Sequence, residues 1–336
     1  MFGRLMNSFY YGKSGKGDYR KEDLPKNRWQ LFWEMLRIRL SGLCRINLMT
    51  CIAWIPTMVV VAMLLNAVLT ASDLVRVKDE TTNSSVMMLV YDAPVDEDGN
   101  PTGEATQVEA RGILQMFALA LIPCILITGP IQAGLAYVTR NWARDEHAFP
   151  WADFRDAVKD NWKQALGVSA LTSVVPLVAY TAVSYYGEMT KGSAVMFVPL
   201  MLVLSATLIY IVMLPLLYPM MVGYELSFGN LIKNAFLMGA ARLPQMLLAR
   251  LITAVPVIAL LMGIYAGNGI VLMIVSLYYL LFGFALSRLV YASFANGVFD
   301  KYLNPHIEGA QVGQGLRPQS EDDELPDEDD EDEEDE

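Results

Sequence analysis

Histidine is almost missing from this 336-residue chain, which has two, alongside three cysteines and only 18% charged residues. Two histidines do not furnish an ordinary zinc site, which needs clustered nitrogen and sulfur ligands. The densest titratable group, Arg140, Arg144, Asp145, Glu146 and His147, therefore reads as a solvated loop edge, and no metal or cofactor is expected. Cys44, Cys51 and Cys124 are an odd set at or within apolar runs, so they read as small packing residues and not as disulfides. No nucleophile with its base, no carboxylate pair and no metal cluster stands out, which leaves no catalytic residue to name and argues against an enzyme. No cleavable signal peptide is expected either. The first 45 residues carry ten Lys or Arg and no apolar stretch before Asn47, so the first apolar segment is expected to stay as an anchor.

What the chain does hold is apolar sequence in blocks. Five runs without charge cover 46–72, 112–139, 164–187, 192–224 and 251–287. Each exceeds the roughly 20 residues that cross a bilayer. The last is too long for one helix and contains Gly267-Asn268-Gly269, a turn signal that divides it in two. The expected fold is an all-α polytopic membrane protein with about six transmembrane helices, at 46–72, 112–139, 164–187, 192–224, 247–266 and 270–294. Lys and Arg divide 21 to 4 between alternating segments, which places both termini and the 140–163 and 225–246 loops in the cytoplasm.

Three amphipathic stretches are expected along that face. After a polar, Gly/Lys-rich start over 1–26, Asn27 can cap a helix with Gln30 three residues on, and 27–45 carries Trp29, Phe32, Trp33 and Leu36 on one stripe with Arg28, Arg37 and Arg45 off it. Trp151, Phe154, Val158 and Trp162 line a second, and Phe228, Leu231, Ile232, Ala235 and Phe236 a third. The segment 73–111 is the only large external one, with a strand pair expected over 86–91 and 106–108. Asp96, Asp98 and Asn100 alternate as at the start of a calcium loop, but Pro101 and Gln107 stand where the loop needs glycine and a carboxylate. Gly12-Lys13-Ser14-Gly15-Lys16-Gly17 likewise lacks phosphate-loop spacing and reads as a basic linker.

At an offset of 80, Leu171, Val175, Pro176, Ala179, Tyr185 and Gly187 match Leu251, Val255, Pro256, Ala259, Tyr265 and Gly267, as two parallel units would. Prolines such as Pro130, Pro176 and Pro256 lie within spans, where they read as kinks of packed helices. The charge-free runs hold amides, Asn47 and Gln132 among them, but no ionisable group, which weighs against an ion-coupled carrier. The region 295–336 reads as a disordered cytoplasmic tail. It ends in 14 acidic residues from Glu321 on, without which 22 acids face 25 bases, and a basic protein is the partner such a tail would suit. The bilayer itself is the other expected partner, and nucleic acid is not.

Gly129-Pro130, Ala133-Gly134-Leu135-Ala136-Tyr137-Val138, Arg140-Asn141 and Ala148-Phe149-Pro150-Trp151-Ala152-Asp153-Phe154 resemble the YesL-like family of bacterial membrane proteins. Met1-Phe2-Gly3-Arg4, Lys233-Asn234-Ala235-Phe236-Leu237 and Leu243-Pro244 resemble it as well. The resemblance carries no catalytic residue. It implies a protein of the bacterial cytoplasmic membrane associated with carbohydrate uptake and ABC importers. The expectation that follows is a non-enzymatic accessory or adaptor subunit touching ABC permease or ATPase subunits, with a small solute (sugar) transporter as the alternative. The contact surface would be Trp29, Arg37, Trp151, Phe154, Trp162, Phe228, Phe236, Leu243 and Pro244, the last two placed like the coupling segment of ABC permeases.

Overall fold

The computed structural model describes residues 24–78, 85–93 and 102–317. The acidic run, the Gly/Lys-rich start and the calcium-like Asp96, Asp98 and Asn100 lie outside the described residues. The chain is an all-α polytopic membrane protein, and six of its helices are long and apolar enough to cross a membrane.

Asn27 caps the first helix, its side chain accepting from the Gln30 N–H at 2.9 Å, while the Gln30 side chain accepts from the Lys26 N–H instead of closing the box on Asn27. From there α1 runs unbroken over Arg28–Leu69, so the expected interfacial helix and the first span are one helix of 42 residues. Within the segment 28–45 there is no proline to interrupt the i to i−4 ladder, and its single glycine, Gly42, lies against the Trp142 ring. The stripe that buries is also not the aromatic one. Leu31, Met35, Leu43, Ile46, Asn47 and Thr50 face the core, and Trp29 and Trp33 remain exposed.

A three-stranded antiparallel sheet follows, β1 (Asp73–Lys78), β2 (Ser85–Tyr91) and β3 (Thr106–Glu109), in the order β1-β2-β3 with Val75 opposite Met88 and Leu89 opposite Val108. The expected strand pair is present. The additional β1 escaped notice because Asp73, Arg76 and Lys78 interrupt its apolar alternation.

The remaining chain is α2 (Ala110–Trp142), α3 (Ala152–Met189), α4 (Phe197–Gly223), α5 (Phe228–Ala241), α6 (Leu243–Tyr265), α7 (Gly269–Tyr278) and α8 (Phe284–Tyr302). A π-helical turn, Tyr279–Gly283, joins α7 to α8 into one interrupted rod. The second amphipathic stretch is the opening of α3, again continuous with its span. Only the third is a separate helix, because Arg242 leaves helical geometry and Pro244 starts α6. Gly267 adopts φ +59° and the Asn268 side chain accepts from the Ile270 and Val271 N–H groups, the turn expected between the last two spans. Pro130, Pro176 and Pro256 lie inside α2, α3 and α6.

These helices form three out-and-back pairs, α1 with α2, α3 with α4, and α5/α6 with α7/α8. The offset seen in the sequence is thus the relation of the second pair to the third, preceded by one more pair that carries the sheet. Ala152–Met189 and Phe228–Tyr265 each span 38 positions.

In lipid the apolar surface of a helix gains nothing by moving from lipid onto a neighbour, so close packing relies on small residues. Gly129 and Ala133 of α2 meet Ala165 and Ser169 of α3, and a Cβ at Gly129 would lie 2.5 Å from the Ala165 carbonyl oxygen. The main core sits in the half of the bundle that carries both described chain ends, built from Leu216, Leu217 and Met220 of α4, Leu231 of α5, Met246 of α6 and Phe299 of α8. Val298 and Phe299 are buried there, so the helical and looped residues 295–317 belong to the folded body and not to a disordered tail. The Arg317 N–H donates to the Pro25 carbonyl at 2.9 Å, which puts the two described ends side by side. Arg28 pairs with Asp300 beneath them.

Candidate functional site

Along the rods, the polar groups gather where α7 gives way to α8. The π turn leaves backbone groups without helical partners, and lipid offers none. Asn47 of α1 supplies them. Its Nδ2 donates to the Tyr279 and Leu280 carbonyls, both at 2.9 Å, and its Oδ1 accepts from the Phe284 N–H at 2.9 Å and the Ala285 N–H at 3.0 Å. One buried amide therefore uses both of its ends to hold the interruption in α7/α8.

Directly beside the turn lies a cavity of about 210 Å³, whose lining includes Trp54, Gln132, Ser169, Thr172, Arg250 and Arg288. Trp54 stacks on Phe284 with ring centroids 5.3 Å apart and closes one wall. Arg288 donates from Nε to the Gln132 Oε1 at 2.7 Å, and its guanidinium lies 4.5 Å from the Tyr218 ring centroid. Arg250 donates from Nε to the Ile211 carbonyl at 2.9 Å and from Nη1 to the Tyr291 hydroxyl at 3.1 Å. The Tyr291 ring is shared, 5.1 Å from the Arg250 guanidinium and 6.0 Å from that of Arg288. The Tyr291 hydroxyl lies 2.5 Å from the Thr253 hydroxyl.

At 1.5 Å per residue, Arg250 stands ~22 Å along α6 from its end at Tyr265, and Arg288 ~28 Å along the rod from Gly269, so in a ~30 Å hydrocarbon core Arg250 lies inside the far border and Arg288 close to it. Both arginines bound the charge-free run 251–287 and fall inside the expected spans 247–266 and 270–294, although the charge-free runs themselves promised no ionisable group. The structure keeps Arg250 in α6 and Arg288 in α8 and turns both onto the cavity. A signal was present in helical spacing, since Thr253 and Tyr291 each fall one turn beyond their arginine. Gln132 and Asn47 stood out as amides in apolar runs, and both lie at this place.

The residues expected to make a contact surface separate into two groups. Trp29 (60% exposed), Trp151 (65%), Trp162, Phe228, Phe236 and Leu243 are exposed, as are Arg37 and Pro244. Phe154 is 5% exposed and fills the core against Leu135, Val138 and Ala148, so it is not available to a partner. The reason is the close approach of α2, whose Gly134 lies so near Phe154 that a Cβ there would be 2.7 Å from the Phe154 carbonyl. Cys44, Cys51 and Cys124 are unpaired. In the loop between α2 and α3, Asp145 takes φ +58°, and burial raises its carboxyl pKa, against the opposing pull of Arg39.

Residues 112–183 match the family described as protein of unknown function, DUF624. That stretch covers most of α2 and α3, including Gln132, Ser169 and Thr172, and stops short of both arginines. No curated protein and no solved structure matches the chain.

Proposed function

We propose that this chain is a non-enzymatic component of solute transport in a bacterial cytoplasmic membrane, working as a small permease whose solute enters the cavity between the helix pairs. The observation that carries this reading is a mainly apolar cavity beside a π-interrupted helix, with two ionisable side chains turned onto it next to otherwise charge-free runs. Interrupted helices at a cavity are the usual arrangement where a membrane helix must present polar groups to a solute. The described ends of the chain would face the cytoplasm, supported by the excess of Lys and Arg there. The resemblance to the YesL-like family supports a carbohydrate or a carbohydrate-derived acid as the solute.

A second reading is an accessory subunit of a carbohydrate ABC importer. Its specific support is the set of exposed aromatic side chains on the face of the chain ends, Trp29, Trp33, Trp151 and Trp162. Such residues also suit lipid headgroup depth, so the two readings are separated by function. Purified protein in vesicles is expected to take up labelled sugars or sugar acids with no partner present. Absence of uptake, together with co-purification of permease or ATPase subunits at native expression, would replace the first reading with the second.

A further inference from the structure

We infer that the cavity between α1, α2, α3, α4, α6 and α8 binds an oxyanion, a carboxylate or phosphate group, held between Arg250 and Arg288. The inference names the substrate class of the transport reading and rests on it for passage of the ligand, while binding is measured apart from uptake.

Arg250 and Arg288 lie within reach of one tyrosine ring, and neither forms an ion pair among the described residues. Their partners are an amide oxygen, a backbone carbonyl, a hydroxyl and aromatic faces, all neutral. Such partners fix the two forks in space and leave both positive charges uncompensated. Unpaired charges at this depth are costly, and two of the same sign more so, unless an anion enters. A guanidinium has five N–H donors, of which Arg288 spends one on Gln132 and Arg250 two on Ile211 and Tyr291. The rest suit the paired oxygens of a carboxylate or phosphate, which arginine binds in bidentate fashion.

The rest of the lining limits what can be attached to that group. The Ser169 hydroxyl is bonded to the Leu126 carbonyl and that of Thr172 to the Tyr210 hydroxyl, which leaves the anion to the arginines, and the Trp54–Phe284 stack offers an apolar wall. A volume of about 210 Å³ exceeds a single water's share of roughly 30 Å³ several times over, so it has room for a small organic acid. The same oxyanion chemistry is offered by two sources, a water-soluble acid and an anionic lipid headgroup, since Arg288 stands close to the border of the hydrocarbon core.

The test is calorimetric titration of the full chain in nanodiscs of phosphatidylcholine with inorganic phosphate, glucuronate and glucose, and of discs with and without phosphatidylglycerol. Saturable binding of phosphate or glucuronate but not glucose is expected, and Arg250→Gln should weaken it by about tenfold or more, as loss of a charged hydrogen bond does. Arg250→Lys, which keeps the charge but not the fork, should weaken binding less than Arg250→Gln, and Arg37→Gln, on the exposed surface, should leave it unchanged. Arg288→Gln is expected to act like Arg250→Gln, with monodispersity on gel filtration as the check of folding. Where that variant does not fold, the Arg250 series decides. If phosphatidylglycerol blocks or replaces the soluble anions in an Arg250-dependent way, the oxyanion is a lipid headgroup. Equal binding of glucose and glucuronate, no anion binding in any disc, or unchanged affinity in Arg250→Gln would each overturn the inference. Anion binding without vesicle uptake would leave the site standing and remove the transport reading. Uptake indifferent to Arg250 would do the reverse.

Discussion

In the second helix pair the Thr172 hydroxyl lies 2.6 Å from that of Tyr210, and in the third the Thr253 hydroxyl lies 2.5 Å from that of Tyr291. Each bond spans 38 residues and ties an outgoing helix to the returning one, α3 to α4 and α6 to α8. The two clasps are 81 positions apart, one more than the offset that aligns Pro176 with Pro256. At that spacing Ser169 of the second pair corresponds to Arg250 of the third, and Thr207 to Arg288. The return helices differ as well, since α4 is regular through Pro215 and Pro219 while α7/α8 is interrupted by the π turn. One scaffold is therefore used twice. The second pair keeps it neutral and regular, and the third adds two charges and a broken ladder. Similar clasps do the same mechanical work in both, so the chemistry must reside in what differs.

The comparison breaks most severely at Asn47. Asn47→Leu removes four hydrogen bonds from the π turn and leaves backbone groups unpaired in lipid, a loss of about 3 kcal/mol or more. Thermal unfolding in nanodiscs should show a large fall. A shift no greater than that of a surface variant would mean that the third pair holds its interruption without help from the first.

A smaller effect sharpens the distinction between the clasps. Tyr291→Phe removes the hydroxyl that meets Thr253 and Arg250, and Tyr210→Phe the one that meets Thr172 and the Val168 carbonyl; at about 0.6 kcal/mol per interhelical hydrogen bond in membrane proteins, their melting temperatures should fall by similar small amounts. Anion affinity should not fall equally. Tyr291 also accepts from Arg250 and is expected to lose affinity on substitution, whereas Tyr210→Phe should bind nearly as the native chain does. Equal losses would make the two pairs equal contributors to the site.

The least change belongs to the loop outside both pairs. Burial holds the Asp145 carboxyl pKa above its unfolded value, so the folded state binds its proton more readily. The resulting stabilisation is complete below the unfolded pKa and disappears as pH rises through the folded one. Asp145→Asn removes the charge and tolerates φ +58°, so at neutral pH it should melt at or slightly above the native temperature. That advantage should vanish in acid. A clear destabilisation at neutral pH would assign the Asp145 charge a structural partner.

Legibility varied with range along the chain. Hydropathy runs, the Gly267-Asn268-Gly269 turn, the Asn27 cap and the relation of the second pair to the third are properties of contiguous sequence or of one fixed offset, and they could be read directly. Breaks between surface helices and spans were less legible, because an amphipathic stretch and an apolar run can share one unbroken ladder, as in α1 and α3. Phe154 showed the same limit, since a one-face stripe does not say whether lipid, water or a neighbouring Gly134 covers it.

The sequence by itself determined that six apolar helices cross the membrane, because a span needs only local length and hydropathy. Only the tertiary structure decided what Arg250 and Arg288 do. At the ends of an apolar run an arginine can snorkel to water or turn inward, and the choice is made by partners far away in the chain. Here Gln132, Ile211, Tyr218 and Tyr291 hold both guanidinium groups over one cavity, and Asn47 fixes the π turn that forms its edge.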